Sequence, residues 1–182
     1  MRSLLPARHR GTCRAEPRIG RGFLVLLVIG LLSAWTSAGA QAADRAGNLD
    51  AAEQQVMLGI NQIRAQYGLG ALRPSRALTV AANVHSQDMA ARRYYGHNTL
   101  GGAAWNSRIK RFVRARVVGE TLDLLYGPPG GPHDDPGVVV SDWLHSAPHR
   151  AVLLTASLRR IGVAHATLRN GRPAFFTADF AS

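Results

Sequence analysis

After an apolar run from Phe23 to Trp35, hydrophobic positions along this 182-residue chain take up two periods in turn, helical first and alternating last. Val56, Ile60, Ile63 and Tyr67 recur at i, i+4, i+7 and i+11, and Asp50-Ala51-Ala52-Glu53 ahead of them has the spacing of a capping box. That predicts an amphipathic helix ending at Gly68. Past the break at Pro74-Ser75, Leu78, Ala81, Ala82, His85 and Met89 make a second helical stripe that reaches about Arg93.

From Tyr94 the pattern is irregular, with Gly96, Gly101 and Gly102 around His97, and a short helix is predicted from Trp105 to Phe112. Residues 117–122 fit either a short strand or a helix entrance by periodicity. Gly127 to Gly137 reads GPPGGPHDDPG, a loop. Asp135-Pro136 then offers an N-cap followed by proline, with Val139 and Trp143 as an i, i+4 pair, while three consecutive valines leave a strand as the rival. Ile161 to Leu168 and Ala174 to Phe180 are strand-forming runs around Arg169-Asn170-Gly171-Arg172, where Asn-Gly favours a primed two-residue turn. Helices first and an antiparallel hairpin last predict a layered α+β domain without internal repeats.

Composition changes this picture mainly at the N-terminus. With 46% hydrophobic and 18% charged residues, the chain is not wholly disordered. Arg2, Arg8, Arg10, Arg14, Arg18 and Arg21 precede the apolar run, which is shorter than the roughly 20 residues a membrane span needs and is followed by Ala38-Gly39-Ala40. Residues 1–40 therefore read as a secretory signal peptide cleaved before Gln41 or Ala43, with an uncleaved anchor as the alternative. Residues 41–49 read as a linker and 50–182 as one domain, secreted or periplasmic, with no transmembrane segment in the mature chain.

Without the leader the net charge falls from +11 to +6, and its bases are 15 arginines and Lys110. Arg108, Lys110, Arg111, Arg114 and Arg116 cluster, either as a solvated face or as a patch for anionic lipid or acidic wall polymer. Export argues against nucleic acid as the partner. The single cysteine, Cys13, falls within the leader, so the mature domain is held by its hydrophobic core.

The mature region carries His85, His97, His133, His145, His149 and His165, but no His-Glu-x-x-His, no Gly-x-Ser-x-Gly, no phosphate-binding glycine loop and no catalytic cysteine. Any chemistry has to come from residues far apart in sequence. His85, on an apolar stripe, reads as a core histidine, and Trp143 as a core anchor. Asn61 and Arg64 share a helix turn and read as ties to neighbouring loops, and Asp142 as helix solvation. Ser146, ahead of Ala147-Pro148, reads as a helix N-cap rather than a nucleophile. His133 and His165 carry no argument.

The most distinctive phrases are Tyr94-Tyr95-Gly96-His97-Asn98, Val118-Gly119-Glu120-Thr121, Trp143-Leu144-His145-Ser146-Ala147-Pro148-His149-Arg150 and Arg160-Ile161-Gly162-Val163-Ala164. Together with Asn61-x-x-Arg64, Gly68-Leu69-x-x-Leu72 and Leu78-x-x-x-Ala82-x-x-His85-Ser86-x-Asp88-Met89-Ala90, their order makes the chain, from about Glu53 to Phe180, resemble the CAP superfamily, also called the SCP domain. It looks most like the short, cysteine-free bacterial branch. The resemblance implies a three-layer α-β-α sandwich with a surface cleft, and it puts His97, Glu120 and His149 at the cleft, flanked by His145 and Ser146. Thr121 stands in place of the usual Asn after the Glu, Val152 in place of the Asn after His-Arg-x, and Ser146 where larger relatives carry a second Glu. His145 is a candidate replacement for that second Glu.

Two neutral imidazoles and a carboxylate can hold a divalent cation such as zinc with a coordination position open. Without metal the same groups form a hydrogen-bonded polar patch, in which Glu120 is expected to raise the pKa of a neighbouring histidine. Three functions follow as expectations. The favoured one is a secreted binding or scaffolding module whose cleft takes an amphipathic lipid or a cell-wall glycan. The alternatives are a metal-assisted hydrolase using His97, Glu120 and His149, with Glu120 as ligand or base, and an electrostatic adhesin working through residues 108–116.

Overall fold

A computed structural model describes residues 49–126 and 135–182, all within the unit Ala40–Ser182. The leader, its cleavage sites, most of the linker, His133 and the first part of the Gly-Pro loop lie outside the described residues. Among the described residues, no helix is long and apolar enough to cross a membrane.

Helix α1, Ala51–Gln66, starts with the expected capping box: the Asp50 side chain accepts from the Glu53 backbone N–H, and Glu53 accepts from that of Asp50, each at 2.9 Å. Val56, Ile60 and Ile63 are buried, but Tyr67, expected on the same stripe, is the C-cap and 57% exposed. Strand β1, Arg73–Pro74, pairs in parallel with β3. Its two residues are too short for any period to show. Helix α2, Arg76–Arg92, buries Leu78, Ala81, Ala82, His85 and Met89 as the stripe requires. Helix α3, Trp105–Lys110, is short, and strand β2, Val118–Leu125, resolves the ambiguity over residues 117–122 in favour of strand.

Helix α4, Pro136–His145, wins over the rival strand because Asp135 caps it, its carboxylate accepting from the Gly137 N–H at 2.7 Å, and because Val139, Val140 and Trp143 bury on one helical face. Helix α5, Ala147–Leu153, follows after Ser146. Strands β3, Arg160–Thr167, and β4, Ala174–Ala181, form the antiparallel hairpin. The turn is longer than the two-residue one expected, running from Leu168 to Pro173, with Gly171 at φ +84°. Pro173 has no N–H to give to the ladder, so pairing starts after it.

The sheet order is β1-β3-β4-β2, with β2 and β3 both antiparallel to β4. β4 is buried along its whole length and its side chains alternate between two cores. Phe176, Ala178 and Phe180 meet α1, α4 and α5 through Ile60, Trp143 and Leu153. On the opposite face Phe175 packs with Met89 of α2, and Ala181 with Leu78 and Ile109 of α2 and α3. These are the three α-β-α layers. Two glycines set the layer spacing. A Cβ on Gly162 would collide with the α2 backbone at Leu78 and Thr79, and one on Gly119 would stand 2.7 Å from Val152 of α5.

Candidate functional site

Three segments converge beside β2. Glu120 is directed by strand alternation to the α2 and α3 side, and its side chain is 1% exposed. His97 reaches it from the loop after α2, with Nδ1 2.8 Å from Glu120 Oε1. That loop is pinned on both sides of the histidine. The His85 Nε2 meets the Gly96 carbonyl at 3.0 Å, the Tyr94 hydroxyl donates to Asp88 at 2.5 Å, and Asn98 accepts from the Trp105 N–H at 3.1 Å. His149 comes from the first turn of α5, which the missing side chain at Gly119 lets close onto β2. The rings of His97 and His149 meet edge to face with centroids 6.3 Å apart.

Two groups that sequence reasoning did not place here complete the cluster. Arg108, assigned above to a basic surface cluster, is 5% exposed and points inward. Its Nη2 is paired with Glu120 Oε2, and its Nη1 lies 3.4 Å from Asp179 Oδ2 and 3.3 Å from the Ala81 carbonyl. Lys110, Arg111, Arg114 and Arg116 remain exposed, so the surface patch loses one member to the interior. Asp179 is fully buried in β4, directly opposite Glu120. Its signal in the sequence was a lone carboxylate inside the apolar run Ala174 to Ala181, which has to find a cation if it stays charged. Nothing in the local pattern distinguished Arg108 from its exposed neighbours.

The electrostatics correct one expectation. Glu120 was expected to raise the pKa of its neighbour, yet that of His97 is lowered, by burial first and then by the Arg108 guanidinium, with Asp179 opposing. The guanidinium that lowers it is the one paired with the far oxygen of Glu120. His149 is also lowered, by burial and by His97. Burial pushes the Asp179 carboxyl up to about 7 against the pull of Arg108. The site therefore presents two neutral imidazoles in front of a buried, charge-balanced network.

The remaining candidates fall into place around it. His85 is completely buried and held neutral, its pKa pushed down to about 4 mainly by desolvation. It is the expected core histidine, with the added role of anchoring the His97 loop. Trp143 is 1% exposed and donates from Nε1 to the Leu122 carbonyl at 2.8 Å. Asn61 brackets Leu72, and Arg64 binds carbonyls of the 70 and 153–158 segments, as ties to loops. Ser146 occupies the N-cap position of α5, but its side chain makes no cap hydrogen bond. His145 is exposed and turned back on its own helix, Nδ1 at 2.8 Å from the Ser141 carbonyl. Among the described contacts, neither Ser146 nor His145 meets Glu120.

As a metal centre the trio fits only in part. Both Glu120 oxygens are engaged, one by Arg108 and one by His97, which leaves the imidazoles as the donors. Among the described residues, the three ligand-type groups that come within 4.8 Å of one another are Asp50, Glu53 and His165. His165, which carried no argument in the sequence, has Nδ1 3.4 Å from Glu53 Oε1 and 3.6 Å from Asp50 Oδ2, and its ring stacks on Phe176. Glu53 and then Asp50 raise its pKa against burial, so this cluster is an ion-paired clasp between the start of α1 and β3.

The comparisons agree with this architecture. The family model for the cysteine-rich secretory protein family, CAP, matches residues 59–180. Among curated proteins, none matches the sequence significantly. An extracellular protein of Bacillus anthracis containing an SCP domain superposes with a TM-score of 0.58 at 26% identity, over 71% of this chain and 40% of that one. An outer surface protein of Borrelia burgdorferi gives 0.64 at 18% identity, over 74% and 95%. A cysteine-rich secretory protein of Staphylococcus aureus gives 0.53 at 16%, over 71% and 38%. The chain thus spans well under half the length of the Bacillus and Staphylococcus proteins, and the likeness to the last two shows the fold alone.

Proposed function

The chain belongs to the cysteine-rich secretory protein (CAP) family, and from that premise we propose that it is an exported binding or scaffolding module whose cleft takes an amphipathic lipid or a cell-wall glycan. Export to the periplasm or the exterior is supported by the leader pattern of residues 1–40 and by structural relatives described as extracellular or as outer surface proteins. The observation that carries the reading is the pair of neutral imidazoles, His97 and His149, facing each other across 6.3 Å in front of a carboxylate already neutralised by Arg108. Such a site offers hydrogen-bond acceptors without charge. It lacks a nucleophile coupled to a base: among the described contacts, the Ser146 hydroxyl has no bond to His149.

Direct titration tests this. The chain recovered after export, mixed with phospholipid vesicles in one series and with soluble wall-glycan fragments in another, is expected to bind one of them saturably and to lose that binding in His97→Ala. Absence of saturable binding in both series rejects the reading.

A second reading, metal-assisted hydrolysis, is favoured by the same neutral imidazoles, which are in the protonation state that a zinc ion requires. In it His97 and His149 hold the cation, which would supply Lewis acidity, and Glu120 orients His97. Metal analysis of untagged protein decides: one zinc per chain, lost in His97→Ala, supports it, and substoichiometric zinc unchanged by that substitution ends it.

A further inference from the structure

One row of the sheet beneath α2 and α3 carries two buried acids where packing alone calls for none. β4 sets Asp179 opposite Glu120 of β2 on one side and opposite Gly162 of β3 on the other. Directly opposed residues on one sheet face stand about 5 Å apart at Cβ, and like charges there repel. Both side chains are out of water, at 0% and 1% exposure. Replacing such an ionic group by apolar side chains is often neutral or stabilising, so stability alone is a weak reason for it. The network reaches solvent at the His97 ring, whose side chain is 45% exposed.

Arg108 sits between the acids. Its flat fork of donors bonds Glu120 with one arm and approaches Asp179 and the Ala81 carbonyl with the other. A guanidinium only donates, so the Glu120 oxygen facing it has to be an acceptor. The other oxygen, 2.8 Å from His97 Nδ1, is then held at a fixed angle to the ring. A neutral imidazole has one N–H, and the nitrogen facing a carboxylate takes it.

We propose that Arg108, backed by Asp179, is the positioning residue of the cleft: it holds Glu120 as acceptor for the Nδ1 proton of His97 and so presents the His97 Nε2 lone pair to a hydroxyl group of the ligand. The hydroxyl rests on the binding function proposed above; the tautomer does not. The other ionisable groups around His97 are His85 from α2, His149 from α5 and Asp179 from β4. None of them is placed by a described hydrogen bond to compete with Glu120 for Nδ1. Glu120 therefore acts through His97, and Arg108 through Glu120. A ligand hydroxyl can come from a sugar or from the alcohol headgroup of a lipid, and both suit an acceptor nitrogen.

Histidine-labelled protein examined by nitrogen NMR at a fixed pH of about 8, where imidazoles are neutral, reads the tautomer without any ligand. The expected result is His97 almost wholly in the Nδ1–H form. In Glu120→Gln the amide oxygen turns to Arg108 and the amide NH2 faces the ring, so the proton moves to Nε2. In Arg108→Gln the Nδ1–H fraction falls, and Arg108→Lys restores part of it. An Nε2–H ring in the wild type, a Glu120→Gln protein that keeps Nδ1–H, or a folded Arg108→Gln protein with an unchanged tautomer overturns the proposal. If Arg108→Gln does not fold, the Glu120→Gln exchange still decides, because its direction depends on Arg108.

Two ligand arms then identify the hydroxyl: a soluble wall-glycan oligosaccharide, and vesicles containing diacylglycerol. A shift of the His97 Nε2 resonance in one arm supports the acceptor role and names its source. No shift in either arm, with the tautomer as expected, overturns the acceptor role together with the binding function, whereas a wrong tautomer overturns the positioning and the acceptor role and leaves the binding function standing.

Discussion

Gly162 of β3 lies directly against the backbone of Thr79 in α2, so close that a Cβ at Gly162 would stand 2.0 Å from the Thr79 nitrogen, a severe clash. Helix α2 and the sheet therefore touch backbone to backbone at this point. Gly162 is also the residue opposite Asp179, so the close approach brings α2 down over the buried acids.

Gly162→Ala is expected to destabilise the domain by about 3 kcal/mol or more, because the clash is with a helix backbone that cannot rotate away. Gly119→Ala meets the Val152 side chain at 2.7 Å, which can give way, and its expected cost is about 1 kcal/mol, reduced in combination with Val152→Ala. Urea unfolding of the variants measures this. Equal costs at the two glycines would refute the backbone contact.

His85 and His165 predict opposite pH dependences. His85 has its pKa lowered, by burial first and then by Arg108, from 6.5 to about 4, so the folded state holds it neutral. The unfolded chain then binds the extra proton between those values, and stability is lost as pH falls from about 6.5 to about 4. His85→Phe removes that part of the slope while costing stability at neutral pH, since the Gly96 carbonyl loses its partner. The check is the urea midpoint from pH 4 to 8 in both proteins. Parallel curves would refute it.

His165 runs the other way. Its raised pKa means that the folded state binds the proton more tightly, so its contribution is fully present below the ordinary value of 6.5 and is lost as pH rises through the folded value. The stability gap between wild type and His165→Gln should be larger at pH 5.5 than at pH 8.5. The side chain is a quarter exposed and its partner distances are 3.4 and 3.6 Å, so the gap at low pH should stay near 1 kcal/mol.

The parts of this fold legible in the sequence are those where one local rule suffices. The Asp50 and Glu53 capping box, the α2 stripe and the paired β3 and β4 runs follow from periods of 3.6 and 2 with a cap or turn residue nearby. Tyr67 broke its stripe because the helix had already ended, and Pro173 lengthened the hairpin turn because it cannot donate. Within the site, His97, Glu120 and His149 follow from the family resemblance that the order of their phrases carries, not from any local rule. Arg108 and Asp179 were not, because a buried ion pair between α3 and β4 leaves no periodic trace. Only the pairing of β4 with β2 puts Asp179 next to Glu120, and only the docking of α3 turns Arg108 inward while Lys110 and Arg111 stay in solvent.

Arg64 joins the scaffold to the site. It is completely buried, and every acceptor it is shown to use is a backbone carbonyl: Gly70 at 3.0 Å, Leu153 at 2.6 Å, Thr155 at 3.2 Å and Leu158 at 3.5 Å. Leu153 is the last residue of α5, so its carbonyl is one of those a helix end leaves without an intrahelical partner, and a cation there also suits the helix dipole. The first turn of the same helix carries His149. Arg64→Met keeps much of the volume but leaves these carbonyls in the core without a donor, at an expected cost of about 3 kcal/mol or more. Arg64→Lys should recover only part of it, because one ammonium cannot span acceptors on both the 70 and the 153–158 segments. In folded Arg64→Lys the His149 ring signals should shift while those of His85, held by α2 and Gly96, stay in place. A Lys variant with wild-type stability and an unmoved His149 would show that α5 is seated by Trp143 and Val152 packing, and that Arg64 contributes nothing to the placement of His149.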